Sequence, residues 1–117
     1  MGIPEMQTNL RAFARARDWQ QFHSTKNLVM ALTGEVGELN ALLQWVEADN
    51  IQDWMTVPAN REAARDEIAD VLAYLLQLAD GLGIDVEEAF NAKLGKNGAK
   101  YPIEKAKGVS TKYNDLG

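Results

Sequence analysis

The fold of this chain is decided by residues 28–46, which read LVMALTGEVGELNALLQWV. Apolar side chains recur in this stretch at intervals of three, four and seven residues, which places them on one face of an α-helix. The stripe consists of Leu28, Leu32, Leu39, Leu42 and Val46. We therefore predict a long amphipathic helix here.

Two carboxylates lie within this apolar helix. Glu35 and Glu38 are three residues apart, and Glu35 fills the gap in the stripe, at a position that the periodicity assigns to the core. A second apolar segment repeats the arrangement, since Glu67 and Asp70 lie beside its stripe. Residues i and i+3 share a helix face, so each pair projects together. That second stripe is Ala64, Ile68, Val71, Leu75, Leu78 and Leu82.

The two acidic pairs predict a metal site. Two such helices side by side bring four carboxylates together, and each pair at about 4 Å repels by roughly 1 kcal/mol in water and about 4 kcal/mol at an effective dielectric constant of 20. A cation between them offsets this repulsion, and oxygen ligands select Mg²⁺ or Mn²⁺. The alternative is a solvated acidic helix face; the core position of Glu35 argues against it, because a buried acid needs a partner. The predicted ligands are Glu35, Glu38, Glu67 and Asp70.

Length and composition favour one domain over residues 1–117. The 117-residue chain is 46% hydrophobic and 25% charged, which is ordinary for a globular protein. It has no cysteine, which excludes disulfides and thiolate metal sites. The sequence has no apolar run of about 20 residues, and residues 1–8 lack the features of a signal peptide. We expect a cytoplasmic protein with no membrane partner.

The charge is unevenly distributed. Residues 1–90 carry 15 acids and 6 Lys or Arg, a balance of −9, whereas residues 91–117 carry 6 Lys and 2 acids, a balance of +4. We expect no nucleic-acid partner, because the acidic body would repel a polyanion. A small phosphate ligand fits both charge regions, because a metal ion can link it to the acidic residues and the lysines can contact it directly.

The chain is predicted to form an all-α helical bundle of four helices with an irregular C-terminal tail. The helices cover roughly residues 5–17, 25–47 (capped by Ser24 or Thr25), 58–80 and 85–94, where Gly95 and Gly98 stop the last one. Residues 48–57 form a connection. The two central helices also carry apolar residues off their stripes, more than the bundle can cover, so we predict a homo-oligomer. These residues are Val29, Met30, Val36, Leu43, Leu72 and Leu76.

Several aromatic residues are candidates for ligand binding. Tyr74 lies one turn beyond Asp70, where its hydroxyl could donate to a phosphate or a carboxylate. Trp19 and Trp45 could provide flat walls for a nucleobase. His23 is the only histidine. Taken alone, His23 is more often a surface or capping residue and an isolated tryptophan more often belongs to the core, whereas ordinary packing explains Tyr74 equally well.

The tail contains a candidate phosphate grip. Lys93, Asn97 and Lys100 occur where the last helix ends. Two ammonium groups and an amide at this spacing could hold a polyphosphate. Composition alone favours a solvated, lysine-rich tail.

Taken together, these motifs resemble the MazG-like superfamily of all-α nucleoside triphosphate pyrophosphohydrolases, and within it the dCTP pyrophosphatase subgroup. The core of the resemblance is Glu-x-x-Glu, 28 residues, then Glu-x-x-Asp. It extends over about residues 9 to 113 and includes Arg17-Asp18-Trp19-x-x-Phe22-His23, Asn27-Leu28, Gln44-Trp45, Asp70-Val71-Leu72-x-Tyr74 and Lys93-x-x-x-Asn97-x-x-Lys100-Tyr101-Pro102.

The resemblance implies hydrolysis of the α–β phosphoanhydride of a nucleoside triphosphate, removing dCTP or modified dCTP from the nucleotide pool. The four acids would hold Mg²⁺, with Mn²⁺ as a possible substitute, and Glu38, together with Glu35, would act on the attacking water. Family members assemble as dimers or tetramers. The implied phosphate or sugar contacts are Lys93, Asn97, Lys100 and Tyr101, with Tyr74 near the metal, and the implied nucleoside pocket is Trp19, His23, Lys26, Asn27 and Trp45.

Two departures from the subgroup leave the substrate open. Lys26 stands where arginine is common, and Gly98-Ala99 replaces basic residues. Hydrolysis of dUTP or of several dNTPs, and a non-catalytic metal-binding bundle, therefore remain as alternatives. A di-iron carboxylate site is excluded, because it needs Glu-x-x-His motifs and His23 does not follow any glutamate by three residues.

Overall fold

The computed structural model describes residues 1–116, and their regular elements are all helical. The all-α prediction is therefore confirmed. Short 3₁₀ turns lie at Gln20–Phe22, Ala48–Asn50 and Tyr113–Asp115. The α-helices are α1 (Ile3–Ala16), α2 (Thr25–Leu43), α3 (Ile51–Thr56), α4 (Pro58–Leu82), α5 (Val86–Lys100) and α6 (Ile103–Ala106).

Local sequence fixes the ends of the long helices. At the start of α2, the Ser24 hydroxyl accepts a hydrogen bond from the Asn27 backbone N–H at 3.2 Å. Pro58 is the first residue of α4, and Gly83, in the left-handed conformation with φ 68°, ends it. At α5, the Asp85 carboxylate accepts from the Glu88 N–H at 3.0 Å. The predicted helix starts near residues 25, 58 and 85 are confirmed.

Three predicted bounds are wrong. Helix α5 does not stop at Leu94 but continues through Gly95 and Gly98 to Lys100. Glycine lowers helix stability by about 1 kcal/mol per position relative to alanine. The helix-forming residues around Gly95 and Gly98 offset this loss. Helix α2 ends at Leu43, before the predicted residue 47. The predicted connection at residues 48–57 contains α3.

Contacts divide the chain into two compact units, Met1–Ile84 and a second one from Asp85 onward. In the first unit, α4 packs mainly against α2, and also against α1 and α3. Helix α1 is tied to α4 by the Arg11–Asp80 ion pair at 2.7 Å and by a hydrogen bond from the Gln7 side-chain amide to the Leu76 carbonyl at 3.0 Å. The single domain over residues 1–117 stays a prediction.

The buried core of the chain is small and does not follow the predicted stripe of α4. Leu76, which the periodicity places off the stripe, is the most buried large side chain at 1% exposure, whereas Ile68 on the stripe is 58% exposed. Because α4 contacts three helices, its buried surface does not form one straight face. The other buried apolar residues are Ala14, Leu28, Ala64 and Ala79.

Much apolar surface of α2 and α4 is exposed in this chain, as the sequence predicts. Val29, Met30 and Val36 on α2 are 43%, 61% and 47% exposed. The homo-oligomer that this surface suggests stays a prediction. Among residues 1–116, no helix combines the length and the apolar character needed to cross a membrane.

Candidate active site

Helices α2 and α4 bring three acidic side chains together. Glu35 and Glu38 come from α2 and Glu67 from α4, and each offers a carboxylate oxygen within 4.8 Å of the other two. The packing of α2 on α4 is the main helix contact of the first unit, so Glu67 of the second motif meets the first motif, while Asp70 lies outside this group. We call Glu35, Glu38 and Glu67 the acidic cluster.

The cluster has unsatisfied oxygens. Glu35 and Glu67 are half-buried, and the Oε2 atom of each is buried without a hydrogen-bond partner among residues 1–116. Leaving a buried acceptor unpaired costs about 1–3 kcal/mol, and more when it is charged. Glu38 is exposed. Orphaned carboxylate oxygens from two helices fit a hard divalent cation, which prefers an all-oxygen set.

The electrostatics of Glu35 reflect this crowding. Burial raises the pKa of Glu35 from 4.5 to about 7, and the neighbouring carboxyls of Glu67, Glu38 and Asp70 add to the increase. A carboxyl with such a pKa holds a proton in part at neutral pH. The proton reduces the same repulsion that a cation would remove.

Asp70 lies one turn after Glu67 on α4 and is exposed. Its charge contributes to the raised pKa of Glu35, but its carboxylate is outside the group of three that lies within 4.8 Å. Its role as a fourth metal ligand stays a prediction. The same side chain lines a neighbouring cavity, which therefore begins one helical turn along α4 from Glu67 of the acidic cluster.

This cavity, of about 250 Å³, lies between α1, the 3₁₀ turn that follows it, and α4. We call it the aromatic cavity. It brings together four residues that the sequence analysis singled out separately: Trp19, His23, Asp70 and Tyr74. The rest of its lining is Leu10, Phe13, Ala14, Ala73 and Gln77.

The chain reversal after α1 holds Trp19 in this lining. Asp18 has a left-handed backbone with φ 53°, which costs a non-glycine residue of order 1 kcal/mol and lasts only where its surroundings fix it. The Trp19 N–H then donates to the Ala14 carbonyl at 2.9 Å. The Trp19 ring meets Phe13 edge to face, with centroids 5.8 Å apart. The Arg17 guanidinium covers the Phe13 ring at 3.6 Å from its centroid.

Three predicted pocket residues lie outside the lining of the aromatic cavity as residues 1–116 form it. Lys26 is exposed in the first turn of α2. The Asn27 side-chain amide donates to the Phe22 carbonyl at 2.8 Å, so it fixes the junction that leads into α2. Trp45 follows α2 and is 86% exposed. Their part in a nucleoside pocket stays a prediction.

The predicted phosphate grip lies in the second unit. Lys93 and Asn97 are one turn apart on α5, which ends at Lys100. The Lys100 ammonium lies 4.7 Å from the centroid of the Tyr113 ring, and Tyr101 meets the same ring edge to face at 6.2 Å. Tyr113 thus holds Lys100 and Tyr101 together, a role that the sequence analysis missed.

Sequence reasoning also missed Phe13 and Gln77 in the aromatic cavity. Phe13 gives no signal beyond its place on the inner face of α1. Gln77 does give one, because Asp70, Tyr74 and Gln77 are spaced by four and three residues and so share a helix face. A polar residue on that face, within an apolar helix, points to the site.

Comparisons with known proteins agree with this geometry. Residues 32–116 match the MazG-like family. The chain is 42% identical over 106 residues to dCTP pyrophosphatase 1 of Bos taurus and of Homo sapiens, over 89% of this chain and 62% and 61% of those proteins. It therefore spans about three fifths of the length of these curated relatives. Among solved structures, it resembles a pyrophosphatase from Archaeoglobus fulgidus with a TM-score of 0.75 and 36% identity, over 85% of this chain and 91% of that one.

Proposed function

The chain belongs to the MazG-like family, and from that premise we propose that it is a pyrophosphohydrolase that cleaves dCTP, or modified dCTP, to the monophosphate and pyrophosphate. The observation that carries the proposal is the position of the aromatic cavity, whose lining begins at Asp70, one helical turn along α4 from Glu67 of the acidic cluster. Acids suit a metal-bound polyphosphate, and aromatic walls suit a base. Relatives that carry the name dCTP pyrophosphatase 1 support the choice of nucleotide.

The proposed cofactor is Mg²⁺, with Mn²⁺ as a substitute, held by Glu35, Glu38, Glu67 and Asp70. The orphaned oxygens of Glu35 and Glu67 fit this assignment. When bound, a divalent cation supplies positive charge to the phosphate oxygens and lowers the pKa of an attacking water.

The proposed catalytic residues are Glu38 and Glu35. Glu38 is the exposed member of the acidic cluster, so water can reach its carboxylate. From there it can orient the attacking water and accept its proton. Glu35 lies beside Glu38 in the acidic cluster, where it would hold the cation next to that water.

Binding of the rest of the nucleotide is divided between two sets of residues. In the aromatic cavity, Trp19 can stack on the base, while His23 and Tyr74 offer hydrogen-bonding groups. The other proposed contacts, to phosphate or sugar, are Lys93, Asn97, Lys100 and Tyr101. Lys26, Asn27 and Trp45 complete the proposed nucleoside pocket.

We further propose that the working form is a homo-oligomer, a dimer or a tetramer. The exposed apolar residues of α2 and α4 support this, since Met30 and Ile68 are 61% and 58% exposed. Burying such surface against a second copy stabilises the assembly by about 25 cal/mol per Å².

The test is release of pyrophosphate from a panel of dNTPs and NTPs, each with Mg²⁺ and with EDTA. We expect cleavage that depends on the metal and is strongest on dCTP. Equal cleavage of dUTP or of several triphosphates would keep the reaction and refute the cytosine preference. The absence of release from the whole panel, by folded protein with Mg²⁺, would refute the proposal and favour a non-catalytic metal-binding bundle.

The acidic cluster is tested by Glu67→Gln, with Glu62→Gln as the matched control. Both residues lie on α4, but Glu62 is exposed and outside the cluster. We expect Glu67→Gln to lose turnover and Glu62→Gln to keep it. If Glu67→Gln stayed as active as Glu62→Gln, the acidic cluster would take no part in the reaction.

A further inference from the structure

Helix α4 lines the proposed site along its length. Glu67 belongs to the acidic cluster, and Asp70, Tyr74 and Gln77 follow it on the same face and line the aromatic cavity. With a rise of 1.5 Å per residue, Gln77 lies about 10 Å beyond Asp70 along the helix axis. A nucleotide whose phosphates lie at the acids would therefore extend its base toward Gln77.

Gln77 has hydrogen-bonding capacity to spare. It is half-buried, and its side-chain Nε2 donates to the Ala73 carbonyl at 3.1 Å. With the amide in this orientation, the hydrogen bonds among residues 1–116 include none to its Oε1. The other lining residues with polar side chains are Trp19, His23, Asp70 and Tyr74, and none of them donates to this oxygen. A ligand that carries an N–H donor would satisfy this oxygen.

The pyrimidine bases differ at the group that such an oxygen can read. Cytosine carries an exocyclic amino group, which donates, whereas thymine and uracil carry a carbonyl oxygen at that position, which only accepts. An amide oxygen accepts a hydrogen bond from the amino group of cytosine. Opposite thymine or uracil it faces a carbonyl oxygen, which is a second acceptor, and no hydrogen bond forms. Leaving buried polar groups unpaired is what gives strong discrimination between similar substrates.

We propose that Gln77 is a specificity-determining residue, whose side-chain oxygen accepts a hydrogen bond from the exocyclic amino group of cytosine at the end of the aromatic cavity away from the acidic cluster. This inference rests on the proposed function and assigns its base preference to one side chain. Stacking on Trp19 is tolerant of sequence, because every base has a π-face. Selection of cytosine therefore requires a polar contact such as this one.

The experiment compares kcat/KM for dCTP and dUTP in the wild type, Gln77→Leu and Gln77→Glu, with Gln52→Leu as control. Gln52 is an exposed glutamine on α3, outside the cavity. In Gln77→Leu, we expect the dCTP:dUTP ratio to fall by about 10- to 100-fold, mainly through a higher KM for dCTP. Gln77→Glu keeps an acceptor and should retain the preference, and Gln52→Leu should match the wild type. Far-UV circular dichroism verifies that each variant is folded.

Binding of dCMP and dUMP, measured by titration calorimetry, gives a second readout that does not depend on turnover. Loss of dCMP affinity in Gln77→Leu, with dUMP affinity unchanged, supports the inference. An unchanged dCTP:dUTP ratio in Gln77→Leu, or a wild type without any cytosine preference, overturns it while leaving the reaction intact. If the wild type cleaves no triphosphate, the proposed function fails, and the calorimetric comparison still decides whether Gln77 reads the base.

Discussion

The raised pKa of Glu35 predicts how the metal-free protein responds to pH. Its pKa moves from 4.5 to about 7 on folding, so between these values the folded chain binds a proton that the unfolded chain does not. Stability then falls as pH rises through this window. The contribution of the protonated carboxyl is complete below about pH 4.5 and is lost above about pH 7. Glu35→Gln, which cannot ionise, should lack this dependence.

The magnitude follows from the geometry. Two carboxylates no more than 4.8 Å apart repel by at least about 1 kcal/mol in water and about 3 kcal/mol at an effective dielectric constant of 20. The change in the pKa of Glu35 limits the pH-dependent change in the free energy of unfolding to a similar value, about 3 kcal/mol. Because Glu35 is half-buried and Glu38 is exposed, solvent screening lowers the expected effect to about 1–2 kcal/mol.

The assay is urea unfolding in EDTA, followed by circular dichroism, at several pH values from about 5 to 8, the window that the pKa defines. We expect Glu35→Gln to be the more stable protein at the upper end, and the difference to close at the lower end. Adding Mg²⁺ should reverse the order, because a ligand that binds only the folded state stabilises it. Glu62→Gln is the control for an exposed acid on α4.

Two results would refute this reasoning. A wild type and a Glu35→Gln variant with the same pH dependence in EDTA would mean that folding does not raise the pKa of Glu35, either by burial or through the neighbouring carboxyls. Equal stabilisation of both proteins by Mg²⁺ would mean that Glu35 is not a ligand.

Four further predictions concern the site and its support. Glu38→Gln should abolish pyrophosphate release without changing the helical circular dichroism signal; retained turnover would exclude its role on water. Trp45→Ala should raise KM for the nucleotide without altering unfolding, because Trp45 is 86% exposed; an unchanged KM would contradict its place in the pocket. Phe13→Leu removes the ring that Trp19 meets at 5.8 Å, so KM should rise while kcat holds, and Phe13→Tyr should restore it. Leu76→Ala should lower the free energy of unfolding by about 2–5 kcal/mol, because Leu76 is only 1% exposed; denaturant unfolding measures the loss.

The acidic cluster can be predicted from the sequence because it depends on the spacing of residues within each helix. The spacing of Glu35 and Glu38, and of Glu67 and Asp70, fixes which side chains share a helix face. The apolar residues around them then require those faces to pack together. The family resemblance, which the comparisons confirm, rests on the same motifs. Fold class and acidic cluster are therefore accessible from periodicity alone.

The aromatic cavity is harder to predict because it depends on a chain reversal. Trp19 reaches α4 only because Asp18 adopts a left-handed backbone and the Trp19 N–H returns to the Ala14 carbonyl. Positive φ at a non-glycine residue is uncommon, and although Asp is enriched there, this preference is too weak to mark Asp18 in advance. The sequence analysis therefore identified Trp19 and His23 separately but did not find Phe13 opposite them.

The buried surface of α4 shows why a helix can be predicted correctly while its buried apolar face is predicted wrongly. Periodicity assumes one partner on one side, and α4 has three, so Leu76 is buried while Ile68 is exposed. The same limitation hid Gln77, which the stripe treats as a solvated position. A polar residue three, four or seven positions from two candidate binding residues shares their helix face. It is better assigned to their site than to the solvated surface. Asp70, Tyr74 and Gln77 satisfy that criterion in the sequence alone, and the aromatic cavity contains all three.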